Sequence, residues 1–222
     1  MRLRLFLDSA DPEAWSQWLP SGLFHGITTN PTLLKQAGQP CCLEHLRELS
    51  QRAQDLGCRE LHLQAWGGDA ASYLACGRQL AALAPGQITV KLPVTRPGAA
   101  AAQALIAADV PVTLTACYEV PQVLIAAALG AAYIAPYLGR INDQGRDGEA
   151  ELVAMQRCLE GLGSSVRLLV ASLRQPADLM RLAAAGLSTF TISPALAAGL
   201  FANEATAAAA LHFDADAGGT SS

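Results

Sequence analysis

The sequence predicts an α/β protein, a single-domain (β/α)8 TIM barrel. Short apolar segments alternate with longer alanine- and leucine-rich ones eight times within 222 residues, a length near the lower end for that architecture. Hydrophobic residues make up 51% of the chain and charged ones 15%, enough to bury one large core and too apolar for extended disorder. The alternative fold, an open doubly wound sheet, would usually carry a glycine-rich phosphate loop after its first strand. Here that position reads Asp8-Ser9-Ala10-Asp11.

The predicted strands are 2–8, 26–29, 60–65, 88–92, 112–116, 132–136, 166–171 and 189–192. Each is short, apolar and often β-branched. Helical patterns occupy 11–18, 43–56, 70–83, 98–107, 120–128, 149–162, 176–184 and 194–199, and 204–211 closes the chain. Asp11-Pro12, Gln175-Pro176 and Ser193-Pro194 mark helix starts, with a capping side chain followed by proline. Gly57, Gly130 and Gly186 stand where helices stop. Residues 1–213 therefore form one barrel with its closing helix, and the small, polar residues 214–222 are expected to be a flexible tail.

Composition also excludes function classes. No apolar run is long enough to cross a bilayer, and Asp8 interrupts the N-terminal apolar run too soon for a signal-peptide core, so a cytoplasmic location is expected and no membrane partner. Six cysteines form no CxxC pair and four histidines do not cluster at ligand spacing, so no metal site is visible and the thiols read as reduced. A net charge of −4 without a basic stripe argues against a nucleic-acid partner.

The chemically distinctive stretch is Gln87-Ile88-Thr89-Val90-Lys91-Leu92-Pro93-Val94-Thr95. Alternation puts Ile88, Val90 and Leu92 on one face and Thr89 and Lys91 on the other. A lysine amine in a low-dielectric cavity loses its proton more readily, and the neutral amine attacks a carbonyl to form a Schiff base. Taken alone, the stretch fits a lysine that snorkels to water better than a nucleophile.

The same alternation runs through the other strands. Leu3, Leu5 and Leu7 oppose Phe6 and Asp8; Leu61, Leu63 and Ala65 oppose His62 and Gln64; Val112, Leu114 and Ala116 oppose Thr113 and Thr115; Ile134 and Pro136 oppose Ala135 and Tyr137. The aliphatic sets are expected to face the helices. Asp8, Gln64, Lys91, Thr115 and Tyr137 are then expected to converge at the C-terminal mouth, where barrel enzymes keep their active sites. Individually, each also fits a polar residue marking where its strand reaches water. Arg140 after the sixth strand, with Ser172 and Arg174 after the seventh, form a candidate phosphate clamp, since forked guanidinium donors match phosphate oxygens. Solvated surface arginines are the competing reading. The polar segment 140–148 either closes over a ligand or is a plain loop.

Gly26-Ile27-Thr28-Thr29-Asn30-Pro31-Thr32-Leu33, the lysine strand, Ala135-Pro136-Tyr137-Leu138-Gly139-Arg140-Ile141 and Ala171-Ser172-Leu173-Arg174 resemble the signature segments of the transaldolase family. The short chain is most similar to its small subgroup of fructose-6-phosphate aldolases and short transaldolases, over the stretch from the first strand to about Phe213. The resemblance implies a class I aldolase barrel without cofactor or metal, acting on sugar phosphates and assembling as a homo-oligomer of five or ten subunits through its C-terminal helix. It implies that Lys91 is the Schiff-base lysine, that Asp8 and Asn30, with Thr28 beside them, hold donor hydroxyls and assist proton transfer, and that Thr115 positions a water. Arg140, Ser172 and Arg174 match its sugar-phosphate clamp.

Transaldolases usually carry glutamate on the third strand and phenylalanine on the sixth, whereas Gln64 and Tyr137 resemble the aldolases; Gly139 and Arg174 look more like transaldolases. The expectation is therefore cleavage or formation of the C3–C4 bond of fructose 6-phosphate. Transfer of the dihydroxyacetone unit to erythrose 4-phosphate in the pentose phosphate pathway is the alternative, followed by a sugar-phosphate-binding barrel without turnover.

Overall fold

The computed structural model describes residues 2–218. The elements run β1 (Arg4–Asp8), α1 (Pro12–Trp18), β2 (Gly26–Thr28), α2 (Pro31–Gln36), α3 (Leu43–Asp55), β3 (Glu60–Gln64), α4 (Ala70–Ala81), β4 (Ile88–Pro93), α5 (Arg96–Ile106), β5 (Val112–Cys117) and α6 (Gln122–Leu129). They continue as β6 (Tyr133–Pro136), α7 (Leu138–Asp143), α8 (Gly148–Gly161), β7 (Arg167–Leu168), α9 (Pro176–Ala184), β8 (Thr189–Ile192), α10 (Pro194–Gly199) and α11 (Glu204–Gly218). Every strand pairing is parallel, in the order β7-β6-β5-β4-β3-β2-β1-β8. A bridge between Val170 and Phe190 brings β7 back to β8 and closes the barrel. The open doubly wound alternative is thereby excluded.

Two apolar layers follow from strand alternation. Leu5, Leu7, Leu61, Leu63, Val90, Leu92, Val112, Leu114 and Ile134 belong to the layer packed against the helices. Phe6, Tyr133, Ala135 and Leu169 form a second cluster, in the lumen. Phe6 packs edge-on against His62 and Tyr133, with ring centroids 4.8 and 5.9 Å away, and so floors the lumen beneath the mouth.

Four details differ from the sequence expectation. The fifth strand does not keep its phase: Ala116 adopts φ +58°, the register shifts between Leu114 and Cys117, and Cys117 rather than Ala116 enters the helix-facing core. The seventh strand pairs continuously only over Arg167–Leu168 and then through single bridges at Val170 and Ala171. Two short helices, α2 and α7, stand at the mouth, and α7 takes up the first part of the segment expected to be a loop. The last helix runs on to Gly218 through part of the expected tail, and 219–222 lie outside the described residues.

Candidate active site

The C-terminal mouth encloses a cavity of about 240 Å³. It brings together Asp8, Thr28, Asn30, Lys91, Thr115, Tyr137, Arg140 and Ser172, along with Thr32, Gln36 and Thr191. Asp8, Thr28 and Lys91 arrive from the ends of β1, β2 and β4; Thr115 comes from β5; Tyr137 follows β6 directly.

Lys91 is 5% exposed. Its Nζ donates to the Thr29 carbonyl at 2.9 Å, a neutral partner. Burial lowers the amine's pKa, and the nearby Asp8 carboxylate opposes that shift only in part. The amine is therefore shifted toward its neutral, nucleophilic form. Asp8 accepts a 2.7 Å hydrogen bond from the Thr28 hydroxyl, which also meets Thr191, so the carboxylate is held over the cavity by a chain of hydroxyls. Asn30 caps α2, its Oδ1 accepting from the Leu33 amide at 3.0 Å. The amide nitrogen of Asn30 is thereby left to donate to a ligand.

Across the cavity the Tyr137 hydroxyl and Thr115 Oγ1 are 2.8 Å apart. Burial raises the phenol's pKa, so it is protonated and able to donate. Arg140 stacks on the Tyr137 ring at 4.8 Å, and its guanidinium donates to the Tyr118 hydroxyl at 3.3 Å. Ser172 adopts φ +60° where the chain turns from β7 across the mouth. Gly139 faces that turn: a Cβ there would lie 2.6 Å from the Ser172 carbonyl and 2.7 Å from Arg174 Nε. Only glycine lets α7 and the turn at Ser172 approach so closely.

Two residues of the sequence-derived set lie outside the cavity lining. Gln64 pairs in register with Lys91 at the end of β3, but its side chain makes no hydrogen bond among the described residues. Arg174 is engaged bidentately by Asp143, at 2.8 and 2.5 Å, so its charge is already matched. The sequence reading missed Thr191 and Tyr118. Thr191 carried a usable signal, because Thr189 and Thr191 alternate with Phe190 and Ile192 as the other strands do; Tyr118 carried none.

A match to the family described as Transaldolase/Fructose-6-phosphate aldolase spans residues 5–219. The chain belongs to this family. A probable transaldolase of Caulobacter vibrioides (strain NA1000 / CB15N) is 32% identical, covering 92% of this chain and 91% of the relative. One of Phenylobacterium zucineum (strain HLK1) is 32% identical over 96% of each. A solved structure of a thiamine phosphate pyrophosphorylase from Pyrococcus furiosus superposes with a TM-score of 0.60 at 12% identity, covering 86% of this chain and 85% of that one, and shares the fold alone. Membership of the transaldolase/fructose-6-phosphate aldolase family makes the chain an enzyme, an aldolase or a transferase, of a family that works through a Schiff base and implies sugar-phosphate substrates. Among the described residues no helix is long and apolar enough to cross a membrane, and no three His, Cys, Asp or Glu are grouped to hold a metal.

Proposed function

We propose that this enzyme is a Schiff-base aldolase of fructose 6-phosphate, with Lys91 as the nucleophile. The single observation that supports this best is a buried lysine amine, hydrogen-bonded to a carbonyl, in a cavity shared with Asp8, Tyr137 and Arg140. The Lys91 amine attacks the C2 ketone, and loss of water leaves an iminium. As the C4 hydroxyl gives up its proton, with Asp8 the nearest carboxylate, the C3–C4 electrons pass into the iminium. Glyceraldehyde 3-phosphate departs and an enamine of dihydroxyacetone remains. Protonation of that enamine at carbon, then attack of water on the resulting iminium, frees dihydroxyacetone and the lysine. The phenol of Tyr137, paired with Thr115, is placed to hold that water or the leaving oxygen. Asn30 and Thr28 hold donor hydroxyls; Arg140 and Ser172 take the phosphate, and Arg174 backs them from behind Gly139.

A second reading is favoured by the names of the relatives. As in a transaldolase, the enamine would wait for an aldose phosphate such as erythrose 4-phosphate, and the position of Gln64 outside the cavity lining favours it too. Fructose 6-phosphate consumption, with and without erythrose 4-phosphate, tests the choice. Steady release of free dihydroxyacetone without acceptor is expected; turnover that requires the acceptor would overturn the aldolase reading.

Assembly into a homo-oligomer belongs to the same proposal. No residue of α11 is buried, and Leu211 and Phe213 are 71% and 69% exposed. A helix presenting such side chains is suited to dock on a neighbouring copy.

A further inference from the structure

We infer a second anion site, for a small di- or polyphosphorylated anion, at the amino-terminal mouth of the barrel. There a cavity of about 220 Å³ is lined by Arg2, Arg4, His25, Arg59 and Arg167. At about 30 Å³ per water, it has room for a pyrophosphate-sized ligand. Arg4 opens β1, Arg167 opens β7, and His25 and Arg59 precede β2 and β3, so the strand starts converge four guanidinium groups in a chain of net charge −4.

The charge there is poorly matched. Glu60, beside the cluster, already accepts from Thr89, Tyr133, His62 and His25 and lies 3.7 Å from Arg4. Among the described residues Arg167 donates only to the Arg2 carbonyl and the Thr189 hydroxyl, both neutral. The guanidinium groups of Arg2 and Arg59 have no hydrogen-bond or ion-pair partner among the described residues. Burial first, then the charge of Arg4, lowers the pKa of both Arg167 and His25. A bound dianion would relieve that repulsion, and forked guanidinium donors around a concave wall fit phosphoryl oxygens. The site is distinct from the candidate active site: Arg4 and Asp8 stand at opposite ends of β1, about 13 Å apart along the strand.

Calorimetric titration with inorganic pyrophosphate tests the site, in an Arg140→Ala background where the upper clamp is weakened. Saturable binding of one pyrophosphate per chain is expected. Adding Arg59→Glu should weaken it by about tenfold or more, and adding Arg2→Ala by about threefold or more. Absence of saturable binding in Arg140→Ala, or an affinity that neither added substitution lowers, would overturn the inference. If Arg59→Glu fails to melt cooperatively, Arg2→Ala decides alone.

Discussion

The Tyr137 hydroxyl and Thr115 Oγ1 lie 2.8 Å apart in the cavity that also holds Lys91. Hydrolytic release needs the enamine protonated and its iminium opened by water, and a phenol at this place can hold that water where a phenyl ring cannot. Tyr137→Phe is expected to slow release of free dihydroxyacetone by about ten- to a hundredfold, while transfer to erythrose 4-phosphate falls less. Both rates measured on wild type and variant decide this. An unchanged ratio would remove Tyr137 from the water-handling step.

Arg140 reaches the cavity from α7, held by the Tyr137 ring and the Tyr118 hydroxyl. Arg140→Ala is expected to weaken phosphorylated substrates by about 1.5–3 kcal/mol, the scale of a lost charged hydrogen bond, and to leave unphosphorylated dihydroxyacetone nearly unaffected. Michaelis constants for the two substrate types provide the comparison. Equal losses would make the arginine structural.

The floor of the lumen sets a pH dependence of stability. Burial pushes the Glu60 carboxyl up, but hydrogen bonds from His62, Thr89 and Tyr133 outweigh it and hold the group at about 2, below its ordinary 4.5. Its contribution is therefore complete above about pH 4.5 and is lost as pH falls toward 2. Burial lowers the pKa of His62, so its neutral form is favoured by folding. The unfolded chain binds that proton first, and stability starts to fall below about pH 6.5. Urea midpoints should decline from about pH 7 to about pH 4, and His62→Gln should flatten the upper part of the decline. A midpoint constant over that range would contradict the network's role.

Removal of residues 204–222 should leave the barrel folded and release the subunits of the proposed homo-oligomer, because no residue of α11 is buried in its own chain. Light scattering coupled to gel filtration reads the result. A truncated chain of unchanged mass per particle would place the interface elsewhere.

Much of the barrel was legible because strand alternation and the proline-marked helix starts agree with each other. Asp11 and Ser193 do cap helices, Gln175 stands at a helix start where the Asp178 carboxylate accepts from its amide, and Gly57, Gly130 and Gly186 do take positive φ. What escaped were short or irregular elements. The helix α2 has the same signature, Asn30 before Pro31, but six residues are too few for a helical period to register. The bulge at Ala116 leaves no mark in composition, since alanine serves equally in either phase. Alternation also brings Asp8, Lys91, Thr115 and Tyr137 to one mouth, yet it says which face a residue takes and not how far its side chain reaches. Gln64 keeps the phase and stays out of the lining, and Arg174 turns to Asp143, a partner whose position depends on a helix the sequence did not reveal.

Everything in the proposed mechanism depends on Lys91 carrying the covalent intermediate. Borohydride added in the presence of fructose 6-phosphate or dihydroxyacetone should reduce the iminium to a stable amine, and peptide mass spectrometry should find one adduct per chain, on Lys91. Lys91→Met should fold, take up no adduct and show no turnover. An adduct on another residue, or none in a preparation that turns substrate over, would rule out Lys91 as the nucleophile.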